Sequence, residues 1–246
     1  MKKSILFTAV VPVLVVLASG PGAVIHMIGD STMADKPDPE RNPERGWGQV
    51  LSSFFTDGVS VRNHAVNGRS TKSFIREGRW DSVRVQLKKG DCVFIQFGHN
   101  DAKITDSTRY TNPYTGYRRN LIRFVKESRA KGAIPVLFSP IVRRKFNEQG
   151  VLEDAHGPYP FIMRDVAREL KVPFVDMQLM SEDLVLSLGP ERSKELYLWV
   201  SPGEYEMYPE GKQDNTHFTE KGATEMAKLA VYGLKELDLD IVKCLK

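Results

Sequence analysis

The amino-acid sequence predicts an α/β fold in which a five-stranded parallel sheet has the flavodoxin-like strand order. Short, almost fully apolar runs alternate with segments whose apolar residues recur at helical spacing. Such strands are typical of a parallel sheet whose two faces are both covered by helices. The 246 residues are compatible with one domain and a large core, and the sequence shows no internal repeat. We therefore expect residues 21–246 to form a single domain.

Each predicted element follows from its local pattern. Apolar, β-type runs predict strands at residues 24–28, 59–66, 92–97, 134–138 and 172–175. Helical spacing predicts helices at residues 47–55, 83–88, 117–130, 161–170 and 184–188. Thr219 is the expected N-cap of a last helix that runs to about residue 237. Residues 197–215, which are rich in proline, glycine and aromatic residues, are predicted to form a long loop.

Residues 1–20 have the composition of a secretory signal peptide. Lys2 and Lys3 precede an apolar run over residues 5–17, and Ala-Ser-Gly at residues 18–20 is a small-residue cleavage site. The apolar run is shorter than the roughly 20 residues that a membrane-spanning helix needs. We expect the protein to be secreted or periplasmic, with no stable membrane insertion after cleavage. A buried first strand or helix is the alternative interpretation of this segment.

The charge and the cysteines argue against several classes of site. A formal net charge of +4, scattered along the chain, does not indicate nucleic-acid binding, although it is compatible with an acidic substrate. The chain has no CxxC or HExxH spacing, so no metal site is predicted. Cys92 lies in a predicted strand and is expected to be a small buried hydrophobe. Secretion would also permit a disulfide between Cys92 and Cys244.

A candidate nucleophile, Ser31, follows the first predicted strand in the sequence Gly-Asp-Ser. Ligands bind at the carboxyl ends of parallel strands, and a serine hydroxyl needs an adjacent base. Asp214 and His217 offer an acid and a base, and their three-residue spacing lets the carboxylate reach the imidazole Nδ1. Each motif also has a purely structural interpretation, since Gly-Asp-Ser is a common turn and Asp-x-x-His can cap the last helix.

Two further predicted strands end in groups suited to acyl transfer. The second strand is followed by Asn67 and Gly68, so Gly68 is expected to place a bare backbone N–H at the same sheet edge as Ser31. The third is followed by Asn100, whose carboxamide can donate to a developing oxyanion. Taken alone, Asn-Gly is a tight-turn signal and Asn100 is suited to an Asx turn. The combination of these groups with the acid–histidine pair favours a serine esterase.

These positions resemble the four motif blocks of the SGNH, or GDSL-type, hydrolases, namely Gly29-Asp30-Ser31, Gly68, Asn100 and Asp214-x-x-His217. The longer strings GDSTMADK, NPERGWGQ, NHAVNGRSTKSF, FIQFGHND and QDNTHFTEKG resemble the rhamnogalacturonan acetylesterase branch of that family. The similarity covers essentially the whole chain after the predicted signal peptide. It implies a three-layer α/β/α arrangement, the SGNH hydrolase fold.

The resemblance also implies roles for individual residues. Ser31 is expected to be the nucleophile, His217 the base and Asp214 the acid that orients it. The N–H groups of Ser31 and Gly68 and the side chain of Asn100 are expected to form the oxyanion hole. The implied reaction removes acetyl groups from a plant cell-wall polysaccharide or oligosaccharide of the rhamnogalacturonan or pectin type. It proceeds through an acetyl-serine intermediate and needs no metal or organic cofactor.

Four other residues are predicted to contact the substrate. His99 precedes Asn100, and a structural hydrogen bond is its alternative role. Arg143 and Arg144 follow the fourth strand, where they are suited to galacturonate carboxylates, with a solvated loop as the alternative. Trp199 lies in the predicted long loop and is suited to stacking on a sugar ring.

Two competing functions remain open from the sequence. A lipase-like or thioesterase member would keep the same three catalytic residues but would need an apolar groove, whereas the loops at this sheet edge contain Arg, Lys, Tyr and Trp. A carbohydrate-binding protein without catalysis is the second alternative. The complete set of chemical groups argues against it.

Overall fold

The computed structural model of the chain describes residues 22–246. The predicted signal peptide at residues 1–20 therefore lies outside the described residues. The strands within the described range are β1 (Val24–Gly29), β2 (Glu44–Arg45), β3 (Ser60–Asn63), β4 (Cys92–Gln96), β5 (Ile134–Phe138), β6 (Phe174–Val175), β7 (Tyr197–Val200) and β8 (Lys212–Thr219).

Helices connect most of these strands. The α-helices are α1 (Trp47–Val50), α2 (Thr71–Arg76), α3 (Arg79–Arg84), α4 (Arg118–Ala130), α5 (Tyr159–Leu170), α6 (Met177–Arg192) and α7 (Glu220–Lys235). A π-helical turn at Pro113–Tyr117 leads into α4, and 3₁₀ turns lie at Leu51–Phe54, Ser193–Leu196 and Asp240–Cys244. Within residues 22–246, no helix has the length and apolar character needed to cross a membrane.

Five parallel strands form the central sheet in the order β3-β1-β4-β5-β6, which confirms the predicted flavodoxin-like order. Ile25 of β1 lies between Val61 of β3 and Cys92 of β4. Beyond the end of β3, the backbone N–H of Val66 still donates to the carbonyl oxygen of Gly29 at 3.1 Å. The carboxyl ends of β1, β3 and β4 therefore meet at one edge of the sheet, where three sequence motifs follow them.

Alternate residues of the central strands pack on opposite faces of the sheet. Phe94 of β4 belongs to a buried cluster with Trp47 of α1 and Met226 of α7. Its neighbour Ile95 belongs to a second cluster, formed with the helices on the other face, which includes Phe124 of α4. Both faces are thus covered, which confirms the three-layer α/β/α arrangement and explains why these strands are apolar throughout.

A second, antiparallel sheet has the strand order β2-β8-β7. The prediction of a long loop at residues 197–215 is therefore wrong, because residues 197–200 and 212–219 form paired strands. The turn between them contains Pro202, Pro209 and two glycines with left-handed backbone, Gly203 and Gly211. Because these turn residues dominate the composition of residues 197–215, the sequence pattern does not reveal the strand Tyr197–Val200 that precedes the turn.

Several predicted boundaries are also wrong. The strand expected at 59–66 ends at Asn63, whose side chain accepts a hydrogen bond from the N–H of Ala65 at 3.1 Å. The pattern does not predict α2, because a reciprocal capping box between Ser70 and Ser73 marks its start rather than apolar periodicity. The helix expected at 83–88 lies at Arg79–Arg84, and the one expected at 184–188 is the middle of α6. Thr219 caps α7 as predicted, through a bond from the N–H of Gly222.

Candidate active site

Ser31 lies in a tight turn directly after β1. The carbonyl oxygen of Asp30 accepts hydrogen bonds from the N–H groups of Met33 at 3.2 Å and Ala34 at 3.0 Å. The Asp30 carboxylate accepts from the N–H and the hydroxyl of Thr32 at 3.0 and 2.9 Å. Burial raises the pKa of the Asp30 carboxyl, although the bonds from Thr32 oppose this rise. Both the backbone and the side chain of Asp30 therefore fix the turn that presents Ser31.

The side chains of Ser31, His217 and Asp214 form a continuous chain of hydrogen bonds. His217 Nε2 is 2.8 Å from Ser31 Oγ, and His217 Nδ1 is 2.8 Å from Asp214 Oδ2. The other carboxylate oxygen, Asp214 Oδ1, accepts from the N–H groups of Thr216 at 2.7 Å and His217 at 3.0 Å. Residues that are 186 positions apart in the chain thus meet within hydrogen-bonding distance.

The Asp214 carboxylate determines which imidazole nitrogen carries the proton. Burial by itself raises the pKa of this carboxyl, but the hydrogen bonds and the charge of His217, with the bond from Thr216 N–H, outweigh burial and hold the pKa well below its usual range. An ionised carboxylate only accepts hydrogen bonds, so Nδ1 is the protonated nitrogen. Nε2 of the neutral imidazole is then free to accept the proton of the Ser31 hydroxyl.

A bulge in β8 brings Asp214 and His217 to the same side. Residues three apart in a regular strand point to opposite faces of a sheet. In this pair of strands, Tyr197 of β7 is opposite Phe218 of β8. Trp199 lies two residues after Tyr197, but its partner Gln213 lies five residues before Phe218. The extra residues of β8 lie between these pairs and include both Asp214 and His217. The sequence predicts that this pair lies in a loop before the last helix. In the structure both residues lie on an irregular strand.

Arg144 and Trp199, both predicted to contact the substrate, are instead bonded to this bulge. Arg144 donates from Nη1 to Asn215 Oδ1 at 2.8 Å and from Nε to Ser193 Oγ at 3.0 Å, and only 5% of the residue is exposed. Trp199 Nε1 donates to the same Asn215 oxygen at 2.9 Å, and its ring lies 4.9 Å from the Arg144 guanidinium. Protein groups already occupy these donors and neither residue lines the cavity beside Ser31, so the structure favours a structural role for both.

The predicted oxyanion donors line a cavity of about 330 Å³ that also contains Ser31. The backbone N–H groups of Ser31 and Gly68 have no acceptor among the described residues. Gly68 has a φ of 76°, a conformation that favours glycine. Asn100 Nδ2 donates to the carbonyl oxygen of Arg69 at 3.2 Å, and its Oδ1 accepts from Arg109 Nη1 at 3.3 Å. The second N–H of the Asn100 amide remains available to an oxyanion.

Basic side chains surround the same cavity. Lys103, Arg109 and Arg143 line it, and burial together with the two neighbouring guanidinium groups lowers the pKa of Lys103. The acidic residue Glu44 also lines the cavity, but its Oε1 is bound by Lys36 Nζ at 2.7 Å. The arrangement is suited to an anionic ligand next to Ser31. Of these residues, the sequence predicts only Arg143, because Lys103 and Arg109 lie in a loop without a recognisable motif.

His99 lines the cavity and forms a buried pair with His156. His99 Nδ1 is 3.1 Å from His156 Nε2, and the two rings meet edge to face. Burial lowers the pKa of both imidazoles, that of His156 to about 3 and that of His99 well below its usual range. The two rings are therefore neutral at neutral pH. His156 lies in the loop before α5, and no sequence motif predicts a role for it.

The sequence of this chain matches those of known esterases over most of its length. The profile of the GDSL-like Lipase/Acylhydrolase family matches residues 27–224. Rhamnogalacturonan acetylesterase RhgT of Bacillus subtilis strain 168 is 45% identical over 217 residues, which are 88% of this chain and 91% of that protein. Probable rhamnogalacturonan acetylesterase YesY of the same organism is 37% identical over 219 residues, 89% of this chain and 95% of that protein.

A solved structure shows the same architecture. The crystal structure of the Bacillus subtilis protein YxiM superposes with a TM-score of 0.74 at 26% identity, covering 87% of this chain and 56% of that chain. This chain therefore spans little more than half of the YxiM structure. The profile match covers the turn with Ser31 and the strand with His217. The chain is a carboxylic ester hydrolase and belongs to the GDSL-like lipase/acylhydrolase family.

Proposed function

We propose that the protein is a secreted or periplasmic serine esterase that removes O-acetyl groups from an acidic plant cell-wall polysaccharide of the rhamnogalacturonan or pectin type. The observation that carries this proposal is the 2.8 Å contact between His217 Nε2 and Ser31 Oγ in a cavity lined by three side chains of lysine or arginine. The names of the two Bacillus relatives support the acetyl group and the polymer. The sequence of residues 1–20 supports export.

In the first half of the proposed reaction, Ser31 Oγ attacks the carbonyl carbon of the acetyl ester while His217 Nε2 takes its proton. The imidazolium forms beside Asp214, whose carboxylate at 2.8 Å stabilises the new positive charge. The oxyanion of the tetrahedral intermediate accepts hydrogen bonds from the N–H groups of Ser31 and Gly68 and from the Asn100 amide. One such donor is typically worth about 10²–10³ in turnover.

The second half of the reaction uses the same groups. His217 gives its proton to the departing sugar oxygen, which leaves an acetyl ester on Ser31. The neutral imidazole then takes a proton from a water molecule, whose oxygen attacks the acetyl carbonyl carbon. Collapse of this second intermediate breaks the bond to Ser31 Oγ, returns a proton to it from the imidazolium and releases acetate.

The cavity favours a short acyl group on a charged sugar. Lys103, Arg109 and Arg143 offer donors to the carboxylates of uronate residues. A long acyl chain needs an apolar channel, whereas the residues that line this cavity are mostly polar or charged. This observation favours the acetylesterase over a lipase-like or thioesterase function. The hydrogen-bonded serine, histidine and carboxylate favour catalysis over carbohydrate binding alone.

Acetate release from a panel of esters tests this function. We expect a higher kcat/KM for acetylated rhamnogalacturonan than for neutral acetylated xylan, and little hydrolysis of 4-nitrophenyl octanoate. Arg143→Gln should lower kcat/KM for the acidic polymer about tenfold more than for xylan, because only the acidic polymer loses an ion pair. Preference for the octanoyl ester, or binding of pectin fragments without acetate release, would overturn the proposal.

A further inference from the structure

A second cavity, about 630 Å³ in volume, adjoins the cavity that contains Ser31. Arg143 lines both cavities, so this residue lies where they meet. The second cavity is bounded on one side by the loop after β4 and on the other by the loop that leads into α5. Its volume lies in the range of about 300–1,000 Å³ that is usual for small-molecule sites. Of its lining, only Arg143 has a part in the proposed function.

The loop after β4 forms a wall that the two cavities share. Lys103 and Arg109 of this loop line the cavity beside Ser31, whereas Ile104 and Tyr110, the next residue in each case, line the second cavity. The two cavities are therefore adjacent sections of one groove. A ligand longer than one sugar ring, with its ester carbonyl at Ser31, would extend past Arg143 into the second section.

The second cavity combines an apolar wall with basic groups. Ile104 is 75% exposed and lies in the wall together with Tyr110. Arg143 uses Nη2 to bind the carbonyl oxygen of His99 at 3.1 Å, and its buried Nε has no protein acceptor among the described residues. Apolar side chains with a few fixed donors are the usual lining of a site for a polar ring.

The remaining charges of the second cavity are nearly balanced. Lys145 lines it and forms an ion pair with Glu153 at 2.7 Å, although 59% of its side chain is exposed. Asp154 also lines the cavity, but its Oδ1 accepts from the N–H groups of His156 at 2.8 Å and Gly157 at 3.1 Å. Lys145 keeps further N–H donors beside its bond to Glu153, and Arg143 has no ion-pair partner among the described residues, so both cations remain able to bind a carboxylate from solution.

We infer that the second cavity is a subsite for a uronate residue of the same polysaccharide chain as the acetylated sugar. The ring of this residue packs on Ile104 and Tyr110, and its carboxylate binds Arg143 and Lys145. This inference rests on the proposed function, because it places the acetyl ester of the same chain at Ser31. It predicts that the enzyme distinguishes oligosaccharides from small acetyl esters.

Kinetics on two kinds of ester test the subsite. The readout is the ratio of kcat/KM for acetylated rhamnogalacturonan oligosaccharides to kcat/KM for 4-nitrophenyl acetate. Ile104→Ser and Tyr110→Ala should each lower this ratio about five- to tenfold. Ile104 is so exposed that its replacement should leave the fold intact. The matched control is Tyr114→Ala, an exposed tyrosine of the π-helical turn after this loop that does not line the cavity, and it should leave the ratio unchanged.

The charge of the ligand is tested with Lys145→Gln. This variant should lower the ratio for the native oligosaccharide about threefold or more, but not for the same oligosaccharide after reduction of its carboxyl groups. Lys126→Gln, on the exposed side of α4, is the matched control. An equal loss on the native and the carboxyl-reduced oligosaccharides would overturn the assignment of a uronate.

Calorimetric binding of the deacetylated oligosaccharide separates this inference from the proposed function. Binding by the wild type that weakens in Ile104→Ser supports the subsite even if no acetate is released from the polymer. Efficient release of acetate from the polymer, with a ratio that is independent of chain length and unchanged in all three variants, would overturn the subsite and leave the proposed function in place. A wild type that neither binds nor deacetylates the oligosaccharide would overturn both.

Discussion

The ammonium group of Lys36 lies 2.7 Å from the backbone carbonyl oxygen of Ser31. It also lies 2.7 Å from Asn67 Oδ1, next to Gly68, and 2.7 Å from Glu44 Oε1. Only 1% of the Lys36 side chain is exposed. One buried cation thus joins the turn that presents the serine to the loop that presents an oxyanion donor. Because Glu44 lies in β2, which pairs with β8, the same cation also reaches the sheet that carries the histidine.

Lys36→Met should therefore lower kcat for 4-nitrophenyl acetate about ten- to a hundredfold, with a smaller change in KM, since a displacement of about 1 Å can cost this much. It should also lower the Tm, because it leaves Glu44 without its partner. The double variant Lys36→Met/Glu44→Gln should recover part of the Tm but not kcat. The surface variant Lys228→Met serves as the control. A kcat like that of the wild type in Lys36→Met would show that the turn with Ser31, the loop with Gly68 and β2 hold their positions without the lysine.

Trp199→Phe distinguishes a structural role from sugar stacking. The variant keeps an aromatic ring but loses the 2.9 Å bond to Asn215 in the bulge of β8. We expect kcat to fall about tenfold for the polymer and for 4-nitrophenyl acetate alike, because the bulge positions His217 for both. A KM that rises for the polymer alone would instead show that Trp199 contacts the sugar.

Asp214→Asn should lower kcat by about 10⁴, since an amide can donate to Nδ1 and stabilise the tautomer with its proton on Nε2. Such a ring no longer accepts the proton of Ser31. The variant should also be less sensitive to acid. The lowered pKa of Asp214 contributes stability above the ordinary carboxyl pKa of about 3.9, and this contribution is lost as the pH falls through the folded-state value. A pH–rate profile like that of the wild type would argue against this role.

The buried histidines should make the protein less stable in mild acid. His156 has a pKa of about 3 in the folded state, whereas a histidine in the unfolded chain has one of about 6.5. The unfolded state therefore binds more protons below pH about 6.5, and the free energy of unfolding falls by up to about 1.4 kcal/mol per pH unit for each such residue.

Urea unfolding of His156→Asn at pH 7 and pH 5 measures this contribution. The variant should lose less stability than the wild type between these two values. His26, which is buried, and His64, which is half-buried, also have lowered pKa values and contribute equally to both proteins. His217→Ala, which keeps all four of the other histidines, is the control. An identical loss in His156→Asn and the wild type would show that His156 binds protons equally in the folded and unfolded states, which contradicts the lowered pKa.

The sequence predicts the part of the site that lies at the ends of parallel strands. Ser31, Gly68 and Asn100 each follow a predicted strand, and the order of those strands in a doubly wound sheet brings their ends together. Their approach to one another thus follows from strand periodicity and topology alone. The same argument places Arg143 after β5.

The remaining parts depend on contacts that no local pattern encodes. The Asp214–His217 spacing is correct for a pair, but the bulge that aligns the two side chains arises from pairing with β7. A lysine in a turn is normally solvated, so the burial of Lys36 among three acceptors becomes visible only with the folded chain. Arg144 also follows a strand, as Arg143 does, yet it faces Asn215 and Ser193 inside the protein. Arg143 and Arg144 are adjacent in an irregular segment, and for this reason their roles differ: Arg143 lines the cavity, whereas Arg144 is bonded inside the protein.

The contact between the imidazole and the serine hydroxyl is tested most directly by reaction with an alkyl fluorophosphonate, which modifies activated serine hydroxyls. We expect stoichiometric loss of esterase activity and, by mass spectrometry, one modified peptide that contains Ser31. His217→Ala should abolish this modification, whereas Ser187→Ala, a change at an exposed serine of α6, should leave it intact. Modification of a different serine, or wild-type turnover of acetyl esters by Ser31→Ala, would contradict the account.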